Sequence, residues 1–192
     1  VHIPSDDEIR SLHRRHAPNP EAFELVYTHC EIVARIAAQL AGPDPLVRAG
    51  ALLHDIGVYR LYRPSGEPDF TSYIRHGLLG HELLREAGLP ETLCRFCSCH
   101  TGVGITREDI ERQELPLPPG DYVAVTSEEQ IVMYADKFHS KKSPPIFVSA
   151  ATYTAGVKRF GEDKAAAFTA MVDRYGEPGL HDLAAEYGHA IT

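Results

Sequence analysis

The stretch Pro45-Leu46-Val47-Arg48-Ala49-Gly50-Ala51-Leu52-Leu53-His54-Asp55-Ile56-Gly57 decides the fold. Asp44 and Pro45 open it, a side-chain cap followed by a proline already set for the first helical turn. From Leu46 to Leu53 it is apolar at nearly every position, and a helix apolar all round belongs at the centre of a helical bundle. It closes on a histidine and an aspartate. Neighbours on a helix point about 100° apart, so both can face one site only near the helix end, where Gly57 is expected to stop it.

Reading outward, the neighbouring segments repeat every 3.6 residues, and none alternates convincingly at period two. Ser5-Asp6-Asp7-Glu8 is a capping box for a short helix ending near His16. Asn19-Pro20 starts a long helix over 20–41, closed by Gly42-Pro43, with Phe23, Val26, Tyr27, Cys30, Val33, Ala34, Ala37 and Leu40 on one stripe. Residues 59–69 carry Pro64, Gly66 and Pro68 and read as a loop. Thr71 or Ser72 caps a helix to about Ala87, and shorter helices follow over 91–99 and after Thr106. Thr126-Ser127-Glu128-Glu129 opens another, carrying Ile131, Val132, Tyr134, Ala135 and Phe138. Lys141 to Pro145 breaks the pattern, and two last helices cover 162–175 and 179–187. The fold class is all-α, with roughly eight or nine helices.

The chain has 192 residues, 43% of them hydrophobic and 24% charged, which suits one domain over 1–192. No apolar run approaches the roughly 18 residues of a membrane span. A net charge of −8 disfavours a nucleic-acid polymer as partner. It leaves room for small anions if a local basic pocket or a cation overrides the global sign. Cys94, Cys97 and Cys99 crowd together and Cys30 stands apart, so a disulfide framework is not expected and a reducing, cytoplasmic location is. Cys94-x-x-Cys97 lacks the second ligand pair of a structural zinc site and reads as buried thiol.

Eleven histidines are a high count. His29 sits in the long stripe, His54-Asp55 ends the central helix, His76 opens a stripe with Gly80, Leu83 and Ala87, His100 follows an apolar helix, and Asp136 lies between Tyr134-Ala135 and Phe138. Burying Asp55 and Asp136 unpaired would cost several kcal/mol each, and no Lys or Arg lies in the adjoining stripes. A divalent cation compensates them directly. Four imidazoles and two carboxylates suit iron, manganese, cobalt, nickel or zinc, and six ligands suit two ions bridged by one carboxylate. His81 falls on another helix face. His2, His13, His16, His181 and His189 read as surface residues.

The order His29, His54-Asp55, His76, His100, Asp136 resembles the HD superfamily of metal-dependent phosphohydrolases, and Leu53-His54-Asp55-Ile56-Gly57 resembles its HDIG signature. The resemblance covers about 20–140 and implies an HD-type helical core there, with a C-terminal helical extension over about 141–192. Arg75-His76-Gly77 and His100-Thr101-Gly102 look like the extra histidine segments of dinuclear members such as the diadenosine tetraphosphate hydrolases. By that resemblance His29, His54, Asp55 and Asp136 would hold one ion, and His76 and His100 a second, with Asp55 bridging and catalytic. The implied activity is hydrolysis of a phosphate ester or anhydride of a nucleotide or small phosphorylated metabolite, by a protein that forms a homodimer as superfamily members often do. Some relatives carry a phosphate-binding Lys after the HDIG glycine. Val58 stands here instead, and Lys137 and Lys141 become the candidate substrate cations. The alternative is a mixed-valence di-iron oxygenase built on the same ligands. The Tyr and Glu of its phosphonate-cleaving members have no counterpart here, since Asn19 and Ala22 occupy those places.

Overall fold

A computed structural model describes residues 2–192. The central stretch forms α3 (Pro45–Leu53), capped by the Asp44 carboxylate on the Val47 amide. Ala51, Leu52 and Leu53 are fully buried, as an all-apolar helix requires. It packs on α2 (Pro20–Ala41), started by the Asn19 cap and Pro20. Both pack on α7 (Ser127–Asp136), opened by a capping box of Thr126 and Glu129. On the other side, α4 (His76–Glu86) and α5 (Glu91–Ser98) pack against each other and close the core. A short α1 (Asp6–His16) starts at the expected capping box and α6 (Arg107–Gln113) at a box of Thr106 and Asp109, and α9 (Glu162–Tyr175) and α10 (His181–Tyr187) come last. No helix among the described residues is long and apolar enough to cross a membrane.

Four details differ from expectation. The central helix ends at Leu53, and His54 and Asp55 form a turn into a 3-10 segment, Ile56–Leu61, where a loop was expected from Tyr59. Gly57 is therefore no helix stop. A Cβ there would meet the His76 carbonyl oxygen at 2.1 Å and the Gly80 nitrogen at 2.3 Å, so its hydrogen lets α4 approach the turn. The helix expected from Thr71 begins as a second 3-10 segment, Phe70–Arg75, capped by Asp69, and becomes α-helical at His76. An unforeseen helix α8 (Ala150–Val157) is capped by Ser149 and runs into a 3-10 turn, Lys158–Phe160. Finally, three two-residue strands, β1 (His139–Ser140), β2 (Ile146–Phe147) and β3 (Ala190–Ile191), form a small sheet in that order. The first pair is antiparallel, the second parallel.

Candidate metal centre

The last carbonyls of a helix lack intrahelical partners, and at the end of α3 three side chains supply them. His54 Nδ1–H donates to the Ala51 carbonyl at 2.6 Å, His13 Nε2–H to Leu52 at 2.8 Å and the Cys97 thiol to Leu53 at 3.4 Å. The helix end is thereby fixed, and with it the turn carrying His54 and Asp55.

The same device orients two more imidazoles. His76 Nδ1–H donates to the Tyr73 carbonyl at 2.6 Å and His100 Nδ1–H to that of Cys97 at 2.7 Å. A carbonyl can only accept, so the hydrogen sits on Nδ1 in all three rings and a neutral ring keeps a bare lone pair on Nε2. Burial pushes the His76 pKa down to about 3 and lowers that of His100, so both are neutral near pH 7. Their Nε2 atoms nevertheless face each other at 2.9 Å, and lie 3.4 and 3.3 Å from Asp55 Oδ1. Asp55 Oδ1 is buried without a hydrogen-bond partner among the described residues. Three electron-pair donors thus converge with no hydrogen among them, an arrangement that repels itself unless a cation lies between.

The other face of the same carboxylate meets a second group. Asp55 Oδ2 lies 3.3 Å from His29 Nε2 and 3.9 Å from His54 Nε2, while Asp136 Oδ1 lies 2.9 and 3.3 Å from the same two nitrogens. Candidate ligand atoms of His29, His54 and Asp136 fall within 4.8 Å of one another, as do those of His54, Asp55 and His100. The structure therefore brings all six sequence-selected residues to one point, with Asp55 presenting one oxygen to each group.

Lysines supply what the helix stripes lacked. Lys137 Nζ donates to Asp136 Oδ2 at 2.7 Å and to the His100 carbonyl at 2.8 Å, and Lys141 pairs with Asp55 Oδ2. The helix stripes themselves hold no Lys or Arg near the two carboxylates, as read from the sequence, but both lysines arrive from beyond the stripes and offset part of the buried charge. Against the cost of burial, the Lys141 ammonium holds Asp55 well below the usual carboxylate range, and the Lys137 ammonium does the same for Asp136. Yet neither reaches Asp55 Oδ1.

The remaining histidines divide differently from expectation. His81 is bound to Ser98 and Arg85, away from the centre. His13 is fully buried rather than on the surface, with Nε2 on Leu52 and Nδ1 accepting from the Tyr59 hydroxyl at 2.8 Å. His189 is half-buried and bonded to His139, which touches His29. Periodicity could not place these three, because their partners lie 39 to 110 residues away.

A cavity of about 630 Å³ opens onto Asp55, His76, His100 and Asp136. Lys137, Lys141, Lys142 and Arg159 line it, and the carboxylate side chains among its described lining residues are those of Asp55 and Asp136. Phe70 and Phe160, 42% and 44% exposed, also line it. Tyr153 and Arg159, from the unforeseen α8 and the turn after it, had no sequence signal tying them to the site.

Residues 26–141 match the HD domain family. An uncharacterised protein of Methanocaldococcus jannaschii is 43% identical over 122 residues, covering 59% of this chain and 65% of that one. A tRNA (cytidine(56)-2'-O)-methyltransferase of Picrophilus torridus is 36% identical over 143 residues, covering 72% of this chain and 37% of the enzyme. This chain thus spans less than two thirds of either relative. The crystal structure of the L. monocytogenes phosphodiesterase PgpH HD domain superposes with a TM-score of 0.50 at 17% identity, covering 95% of this chain and 88% of that one, a likeness of fold.

Proposed function

The chain belongs to the HD domain family, and we propose that it is a metal-dependent phosphohydrolase acting on a nucleotide or similarly small phosphorylated molecule. The observation that carries this reading is Asp55, which offers Oδ2 to the His29, His54 and Asp136 group and an unpartnered Oδ1 to His76 and His100. The donor set fits two divalent ions: His29, His54 and Asp136 would hold one, His76 and His100 the other, and Asp55 both. Bound there, such ions acidify water and polarise a phosphoryl oxygen.

The chain's own residues do the rest. Backbone carbonyls hold three imidazoles with Nε2 inward, so these rings need no reorientation to bind the ions. Lys137 stays paired with Asp136 and the His100 carbonyl, fixing the rim. Lys141, released from Asp55 once the carboxylate is otherwise neutralised, is placed to meet a phosphate oxygen, with Lys142 and Arg159 on the same wall. A cationic interior in a chain of net charge −8 selects anions locally. Exposed Phe70 and Phe160 at the mouth suit an aromatic base, whose stacking is worth roughly 1–3 kcal/mol. Together they support a nucleotide. The stretch shared with the methyltransferase is about a third of that enzyme and lends no support to methyl transfer.

The test is phosphate release from a panel of nucleotides and dinucleoside polyphosphates by protein purified without chelator, with Mn, Co, Fe(II), Mg, Ni or Zn added. Release that disappears in Asp55→Ala is the expected result. Protein carrying two irons that consumes dioxygen and releases no phosphate would replace the hydrolase with the oxygenase.

A further inference from the structure

Three of the four central imidazoles have their tautomer set by a backbone carbonyl, and His29 does not. It lies in the middle of α2, and its Nδ1 faces His139 Nδ1 at 2.8 Å. An imidazole nitrogen can donate or accept, so the state of His29 is decided by its neighbour. His139 Nε2 in turn meets His189 Nδ1 at 3.0 Å. The three rings run in series, stacked at centroid separations of 5.1 Å in both steps. They run from the carboxylates along a second cavity of about 520 Å³, which all three rings line together with Glu21 and Glu24.

The chain of hydrogen bonds has two self-consistent settings. In one, His29 carries its hydrogen on Nε2 and donates to Asp136 Oδ1, 2.9 Å away, while His139 and His189 both carry theirs on Nδ1. In the other, His29 carries it on Nδ1, His139 accepts there and carries its own on Nε2, and His189 accepts and presents Nε2–H to the second cavity. Each setting holds three ring hydrogens. The net change is one hydrogen lost at the buried end and one gained at the open end. Only the second leaves His29 Nε2 bare.

We propose that His139 and His189 are positioning residues of the metal centre, which hold His29 in the Nδ1–H tautomer and so tie occupancy of its side of the centre to the segment His189–Thr192, which contains β3. That segment is pinned at its end by backbone bonds: the Thr192 amide donates to the Phe147 carbonyl at 3.0 Å, and the Ser149 amide to that of Thr192 at 2.8 Å. His139 is held from the other flank by the Phe147 ring, 4.9 Å away. The proposal rests on the metal-centre reading, and its test separates the two.

The experiment measures Zn²⁺ stoichiometry and affinity of the full chain by titration calorimetry and elemental analysis, with ¹⁵N-histidine NMR of the zinc-loaded protein to locate the His29 hydrogen. In the wild type it is expected on Nδ1. His139→Leu should weaken one zinc equivalent by about 10–100-fold and leave the other unchanged. His139→Asn, whose side-chain oxygen can accept from His29 Nδ1–H, should restore most of that loss, and His189→Leu should fall between. Equal losses in the Leu and Asn variants, or wild-type binding in His139→Leu, overturn the positioning role alone. A wild type that takes up no zinc or other divalent metal overturns the metal-centre reading and the proposal with it.

Discussion

His13 and His100 are both buried imidazoles, 0% and 2% exposed, each held by a backbone carbonyl. Their second nitrogens differ. His13 Nδ1 accepts from the Tyr59 hydroxyl, so every polar atom of the ring is satisfied. His100 Nε2 faces another bare nitrogen and an orphaned carboxylate oxygen. One environment is closed, the other complete only with a cation. Burial of a histidine therefore does not mark a site. A buried lone pair with no hydrogen directed at it does, because leaving it so costs roughly 1–3 kcal/mol in a fold that otherwise pairs its interior.

The two environments should respond most differently to loss of the carboxylate that serves both ligand groups. Asp55→Ala should abolish metal retention and lower turnover by more than about 10³-fold, since the positioning and charge stabilisation built on it are lost together. His13→Ala removes one of the three groups capping the end of α3 but leaves those of His54 and Cys97, so metal content, read by elemental analysis, should stay near the wild-type value. Loss of metal in the His13 variant would erase the distinction between the two environments.

Gly57 lies on the seam between them. The turn Ile56–Leu61 carries Tyr59 toward His13, while Gly57 touches the backbone of His76 and Gly80. Gly57→Ala places a methyl group against backbone atoms that cannot rotate away. It should cost about 3 kcal/mol or more in urea unfolding, at the upper end of overpacking effects. The displaced element is α4, so the His76 side should lose its metal while the His13–Tyr59 bond persists. Wild-type stability in this variant would mean the close approach between turn and helix is absent.

How much of this was legible in the sequence follows from the range of each interaction. Caps and stripes are local, so α2, α5 and α9 were bounded at both ends to within a residue or two, and α7 at its start from Thr126. The helix α8 was not, because in Ala150–Val157 only the two end residues are buried and no apolar stripe develops. Ser149 was its one signal. Two-residue strands are too short to show a period of two. The six central residues stood out because each is polar within an apolar run. His13, His139, His189 and the pairing of Lys141 with Asp55 depend on contacts between distant segments, which no local pattern encodes.

At the closed site the effect is smaller and comes from a proton. Burial, only partly offset by the Leu52 carbonyl, pushes His13 down to about 4 from an ordinary value near 6.5. Between those values the unfolded chain binds a proton at this ring that the folded chain does not. Stability contributed by the neutral ring is therefore complete above about pH 6.5 and falls as the pH drops toward 4, by roughly 1.4 kcal/mol per unit at the steepest. His13→Gln keeps an amide donor and acceptor but cannot titrate. Unfolding free energies for the two proteins in chelator, from pH 7 to pH 4, should then converge as the pH falls, the wild type losing about 3 kcal/mol more than the variant across the window. Parallel curves would show that His13 is no harder to protonate in the fold than in the unfolded chain, and that its environment is more open to water than two hydrogen bonds and full burial imply.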